Sequence, residues 1–190
     1  MKKMIKIAAG CVLAGGAILT AQAQESASAT VTEISGGTSG PYTYQFTLTD
    51  TGSTTIGSVW YAWTPGFNYL QSKPTGTSGD TAGWANTIIG STGAASIQFK
   101  AGGSADYLQP GQSASFDFTT ADSPSALEGT SGGTPIGTSV AYSGGLFSDG
   151  GFTFVASTSS TPEPSSYALM GMTALGWLGW RKKAKAAASK

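Results

Sequence analysis

The sequence predicts an all-β protein: an antiparallel β-sandwich flanked by an N-terminal signal helix and a C-terminal transmembrane helix. Three observations carry that expectation. Residues 42–49 and 113–119 alternate polar and apolar side chains, the period of a half-buried strand. Other short apolar runs are separated by clusters of Gly, Pro, Asp, Ser and Thr, which are turn signals. Each end of the chain carries an apolar stretch bounded by basic residues. At 190 residues the chain has room for one domain plus such appendages.

The first element is the leader. Lys2, Lys3 and Lys6 form a basic start, residues 7–19 are apolar, and Ala21-Gln22-Ala23 offers small residues to a signal peptidase. This predicts a signal peptide over residues 1–23, with signal peptidase and the export machinery as partners. The apolar run is short for a bilayer core of ~30 Å, which counts against a retained anchor. Lipid attachment at Cys11 would need the apolar run before the cysteine, and here it follows.

The body is expected over residues 24–156. A weak first strand covers 27–34. Residues 42–49 follow, with Tyr42, Tyr44, Phe46 and Leu48 on one face, and Asp50-Thr51-Gly52 closes the strand with a turn. The run 56–63 stops at Thr64-Pro65-Gly66. Shorter candidates lie at 67–70, 84–89 and 95–99. After a tight turn at 108–112, Ala114, Phe116 and Phe118 share one face of the next strand. Residues 139–142 and 152–156 supply the last two. About eight short strands without an amphipathic helix is the pattern of a sandwich or barrel. The Leu-Gln-Pro-Gly-Gln turn before an alternating Phe strand resembles an edge seen in immunoglobulin-like and carbohydrate-binding-module sandwiches, an analogy of fold alone. Residues 71–83 and 123–135 read as long loops, and 157–161 as a polar linker.

Charge and composition remove several functions. The formal net charge is zero, but the charges are segregated. Between Lys6 and Arg181 the only cations are Lys73 and Lys100, against Glu25, Glu33, Asp50, Asp80, Asp106, Asp117, Asp122, Glu128 and Asp149 in the body. An acidic body repels phosphate backbones, so no nucleic-acid partner is expected. There is no histidine, and Cys11 is the only cysteine. Ser-His-Asp, Cys-His and His/Cys zinc sites are therefore unavailable. What remains for catalysis is a Ser-Lys pair using Lys73 or Lys100, or a carboxylate pair among Asp106, Asp117 and Asp122. Neither has a sequence signature, so no enzyme, no cofactor and no metal are expected.

The aromatics are the better lead. Trp60, Tyr61 and Trp63 lie on one predicted strand, and Trp84 follows a loop. Alternation puts Tyr61 and Trp63 on one face and Trp60 on the other. An exposed set would suit sugar stacking, since the C–H face of a pyranose packs on a flat ring. Trp60, Trp63 and Trp84 are thus the candidate glycan-stacking residues. The competing expectation is that one face is covered by the opposite sheet and the other by loops, with Tyr107, Tyr142 and Phe147 buried as well.

The C-terminus is the most specific part. Thr161-Pro162-Glu163-Pro164-Ser165-Ser166 precedes an apolar run ending at Trp180, and Arg181-Lys182-Lys183 follow at once. A helix over residues 165–180 would be about 24 Å long, short of the ~30 Å core. Snorkelling Arg181 and Lys182, with Tyr167, Trp177 and Trp180 at the interfaces, would cover the mismatch. The basic cluster Arg181, Lys182 and Lys183 stops transfer and stays cytoplasmic, leaving the body outside. These parts in this order resemble the PEP-CTERM sorting signal of Gram-negative bacteria. The resemblance implies an exosortase-type enzyme that recognises Pro162, Glu163 and Pro164, removes the helix and the basic tail 181–190, and passes the body to the cell surface. It also implies association with exopolysaccharide or biofilm. The expectation is then an exported, non-enzymatic envelope or extracellular-matrix protein, held in the inner membrane before processing. A glycan-binding module, with extracellular polysaccharide as partner, is the alternative.

Overall fold

A computed structural model describes residues 23–37, 39–78 and 81–159. Residues 1–22 of the expected signal peptide (1–23), the sorting motif, the expected transmembrane helix at 165–180 and the tail 181–190 lie outside the described residues. Among the described residues no helix is long and apolar enough to cross a membrane.

The strands are β1 (Ala27–Ser35), β2 (Tyr42–Asp50), β3 (Ser58–Tyr61), β4 (Trp63–Thr64), β5 (Phe67–Asn68), β6 (Gly76–Ser78), β7 (Trp84–Ser91), β8 (Ala94–Ala101), β9 (Ser113–Thr120), β10 (Thr130–Ser131), β11 (Thr134–Pro135), β12 (Thr138–Tyr142), β13 (Phe152–Val155) and β14 (Ser157–Ser159). One short helix, α1 (Pro124–Leu127), lies between β9 and β10. The main strands build two five-stranded sheets, β14-β1-β2-β9-β6 and β13-β12-β3-β8-β7. Their inner faces share one apolar core, so the body is a β-sandwich.

Alternation dictates that core. Tyr44, Phe46 and Leu48 of β2 and Phe116 and Phe118 of β9 point inward and are buried. Val59 and Tyr61 of β3 and Ile97 and Phe99 of β8 meet them from the second sheet. Phe99 bridges the layers, stacking on Phe116 at 4.3 Å and on Phe46 at 5.7 Å between ring centroids. Such pairs add about 0.5–1.5 kcal/mol each to the burial of their area. The outward positions of β2 and β9 carry cross-strand hydroxyl pairs instead: Thr43 with Thr119 at 3.1 Å, Thr47 with Ser115 at 3.2 Å and Thr49 with Ser113 at 2.8 Å. The tight turn before β9 closes by the Gln112 N–H donating to the Gln109 carbonyl at 2.9 Å, with Gly111 at φ 80°.

Four features differ from the sequence expectation. The loop at 71–83 contains β6, which pairs with β9 and forms the edge of the first sheet. The loop at 123–135 contains α1 and the β10–β11 hairpin. The Ser123 hydroxyl caps α1 by accepting from the Ala126 N–H at 3.2 Å, and Gly132 and Gly133, at φ 58° and 85°, close the hairpin. The sandwich is not wholly antiparallel. Residues 157–159, expected within the linker, form β14, which pairs in parallel with β1. Ala156 alone carries the chain from β13 in one sheet to β14 in the other, its N–H held by the Gly137 carbonyl at 2.9 Å. The fourth difference is the face taken by Trp63.

Candidate functional site

Trp60 and Trp63 stand on the same face, the outer face of the second sheet, with centroids 4.5 Å apart. Simple alternation would separate them. Ala62 reverses the alternation because it adopts a left-handed backbone at φ 55°. That conformation is held by its N–H donating to the Ser139 hydroxyl at 3.3 Å and its carbonyl accepting the Tyr69 N–H at 2.9 Å. Tyr61 keeps its place in the core, while Trp63 turns outward onto Trp60, Val140 and Tyr142.

A nine-residue loop, 143–151, brings Phe147 onto this cluster. The Phe147 ring lies 5.5 Å from Tyr142, 6.0 Å from Trp63 and 6.4 Å from Trp60. Phe147 is also left-handed, at φ 56°, and it is 61% exposed. The Asp149 carboxylate organises the loop. It accepts the Ser143 N–H at 3.0 Å, the Gly151 N–H at 2.8 Å, the Ser148 hydroxyl at 3.3 Å and the Ser143 hydroxyl. Burial pushes its pKa up, but these donors outweigh that and hold it below the ordinary carboxylate value.

The three tryptophans are therefore not an open platform. Trp60, Trp63 and Trp84 are only 7%, 8% and 9% exposed, which corrects the expectation of a flat stacking face. Trp84 belongs to the core: its ring is 5.3 Å from Phe116, and its indole N–H donates to the Asp106 carbonyl at 2.9 Å. Trp60 and Trp63 are stacked on each other, with Phe147 beside both. Trp60 Nε1 is buried without a hydrogen-bond partner. The aromatic of this cluster that is left open is Phe147, which the sequence expectation placed among the buried rings; Phe67, in β5, is exposed as well. The signal for Phe147 was a large ring centred between Gly144-Gly145 and Gly150-Gly151, in a segment with no strand pattern.

The carboxylates named as a catalytic alternative have separate duties. Asp117 stands on the outer face of the first sheet and accepts from Gln45 Nε2 at 3.4 Å. Asp122 is buried, its carboxylate accepting the Ser72 N–H at 3.0 Å and its carbonyl the Tyr44 hydroxyl at 2.7 Å. Asp106 sits in the 3-10 turn Ser104–Asp106 beneath Trp84.

The other candidate site is the sorting motif. The family model of the PEP-CTERM protein-sorting motif matches residues 160–183, starting directly after β14. The chain carries a PEP-CTERM sorting motif. That signal marks it for export and membrane-anchored sorting, and it is associated with exosortase processing. Pro162, Glu163, Pro164, Arg181, Lys182 and Lys183 all fall inside the match. No curated protein matches the chain in sequence. Among solved structures it is similar to a biomass-sensing module of the Rsgi2 protein of Clostridium thermocellum, described as resembling a family 3 carbohydrate-binding module of the cellulosome. That similarity has 12% identity over 72% of this chain and 90% of the other, at a TM-score of 0.37. It is also similar to a CBM3 of Hungateiclostridium clariflavum, with 11% identity over 66% of this chain and 99% of the other, again at 0.37.

Proposed function

We propose that the protein is a non-enzymatic component of the cell surface or extracellular matrix, whose sandwich is delivered by leader removal after Ala23 and by exosortase-type cleavage of the C-terminal signal. The observation that carries this is the junction: β14 ends at Ser159 and the sorting match begins at residue 160. The sandwich is thus the cargo that the tail delivers. Its first sheet offers the outside rows Ser28–Thr49–Ser113, Thr30–Thr47–Ser115 and Thr32–Gln45–Asp117, nearly all uncharged hydrogen-bonding groups. Such a face suits contact with a hydrated, hydroxyl-rich polymer, where a strongly charged one would repel or precipitate. The test compares the full chain with one ending before Tyr167, by cell fractionation and intact mass. The full chain is expected at the surface or in the matrix without its tail, and the shortened chain elsewhere. The same final address and processed form for both would overturn the proposal.

A second reading rests on Phe147. An exposed ring beside a stacked tryptophan pair, with an unsatisfied indole N–H beneath, is a small carbohydrate-contact site. On this reading a soluble polysaccharide retards the protein in an affinity gel and Phe147→Ala abolishes the retardation. Equal mobility of the two proteins with every polymer would leave the matrix role alone.

A further inference from the structure

By alternation Ser58 shares the outer face of β3 with Trp60, since Val59 and Tyr61 enter the core. In register Ser58 stands beside Tyr142 and Trp60 beside Val140, both outward on β12. The 143–151 loop lies over this patch at both ends. Gly144 packs so closely on Gly57 that a β-carbon on Gly57 would strike the Gly144 backbone. A β-carbon on Gly151 would come within 2.7 Å of Val140 and 2.8 Å of Tyr142. Phe147 covers the middle, against Tyr142, Trp63 and Trp60.

Two polar atoms on this face have nothing to bond. Ser58 is 0% exposed and its Oγ is buried without a partner, as is Trp60 Nε1. Buried donors left so are rare in a finished fold, because each has given up water and gained nothing. The two residues lie on one face of one strand, about 7 Å apart along it. The loop over them is lightly fastened. Among the described residues its hydrogen bonds are internal except one, the Thr55 hydroxyl donating to the Ser143 carbonyl at 2.9 Å. Gly144-Gly145 and Gly150-Gly151 stand at its ends as hinges.

We infer that the 143–151 loop is a lid over a buried sugar subsite, in which Ser58 Oγ and Trp60 Nε1 bond hydroxyl oxygens of a neutral pyranose unit and Phe147 closes on it from above. This rests on the carbohydrate reading of Phe147, and adds to it the floor of the site and the motion that opens it. The chemistry selects the ligand. An indole N–H only donates, and a serine hydroxyl donates or accepts, which matches sugar hydroxyls. Tyr142, Trp63 and Phe147 offer ring surface to the sugar's C–H face. The buried floor holds no charge, since Lys100, beside Ser58 on β8, is exposed. A charged ligand would be desolvated there without a counter-ion. With the lid closed neither polar atom meets solvent, so the sugar enters only after the loop swings out.

The test uses the full-length chain in a mild detergent. Hydrogen exchange at the Trp60 indole, followed by NMR, reads the lid without any ligand. Its protection is expected at least about tenfold below that of the Phe46 and Phe116 amides in the central strands. Gly145→Ala with Gly150→Ala, where a β-carbon meets nothing within 4 Å, is expected to slow the indole exchange about fivefold by stiffening the hinges. An indole protected as fully as those amides would overturn the lid. Ser58→Ala reads the floor. Removing a hydroxyl that bonds nothing is expected to leave the melting temperature unchanged or raised. The same variant is expected to weaken binding about tenfold in affinity gels containing a β-glucan, a mannan or a xylan. A clearly lower melting temperature would give the hydroxyl a structural partner and overturn the subsite. Retardation lost with Phe147→Ala, but equal for the parent and Ser58→Ala, would overturn the subsite and leave the Phe147 reading standing. No retardation of the parent by any of the three polymers would remove that reading and the subsite with it.

Discussion

Asp149 is the residue through which pH reaches the aromatic cluster. Its folded pKa lies below the ordinary carboxylate value, so its contribution to stability is complete above that value and is lost as pH falls through the folded pKa. Acidification below about pH 4 is expected to release the 143–151 loop, with a red shift of tryptophan emission as water reaches Trp60 and Trp63. Asp149→Asn is expected to show the same shift already at neutral pH and to cost about 1 kcal/mol, because the loop is largely exposed. A variant whose emission matches the parent at every pH would show that Phe147 is held by other contacts. The ring's one mark in the sequence was its place between two glycine pairs, and that alone does not tell an open ring from a covered one.

At the scale of elements, legibility followed hydrophobic alternation. β2 and β9 could be read almost residue by residue, because inward aromatics alternate there with outward Thr, Ser, Gln and Asp. β6 and β14 could not, because Gly-Thr-Ser and Ser-Thr-Ser contain no apolar side chain to mark a face, and their pairing is decided by the neighbouring strand. The second sheet failed at one residue. Ala62 breaks the period of two, and a single left-handed residue moves everything after it to the other side. That conformation costs an alanine about 1 kcal/mol relative to glycine and a β-branched residue more. Ala62→Gly is therefore expected to be neutral or slightly stabilising, and Ala62→Val to cost about 2 kcal/mol and to disturb the Trp60–Trp63 stack. Near-ultraviolet circular dichroism with thermal melts checks both. Equal stability of the two variants would mean that the turn relaxes without its left-handed residue.

At the scale of the molecule, the class was legible from the turns and the absence of helical periodicity, and the sorting signal from the order of its parts. The boundary between body and tail was not, because β14 reads as linker. That strand covers the outer edge of β1, which would otherwise present unpaired backbone groups to other chains. Thr158→Pro is expected to open this edge and produce self-association visible by size-exclusion chromatography, with the sorting signal itself unchanged. A monomeric variant would show that the edge is protected by other means. Cleavage during sorting has to fall after Ser159 if the released body is to keep its seam closed.

The parallel junction of β14 with β1 also gives the molecule a direction of strength. A body linked to the surface through the C-terminus left by processing, and dragged by flow, would take the load along β14. Its bonds to β1, running through Thr30–Ser157, Val31–Thr158 and Thr32–Ser159, are then pulled lengthwise together and not peeled open in turn. A three-residue grip of that kind resists a steady tug far better than its size suggests, and it would be the first part of the protein to slip.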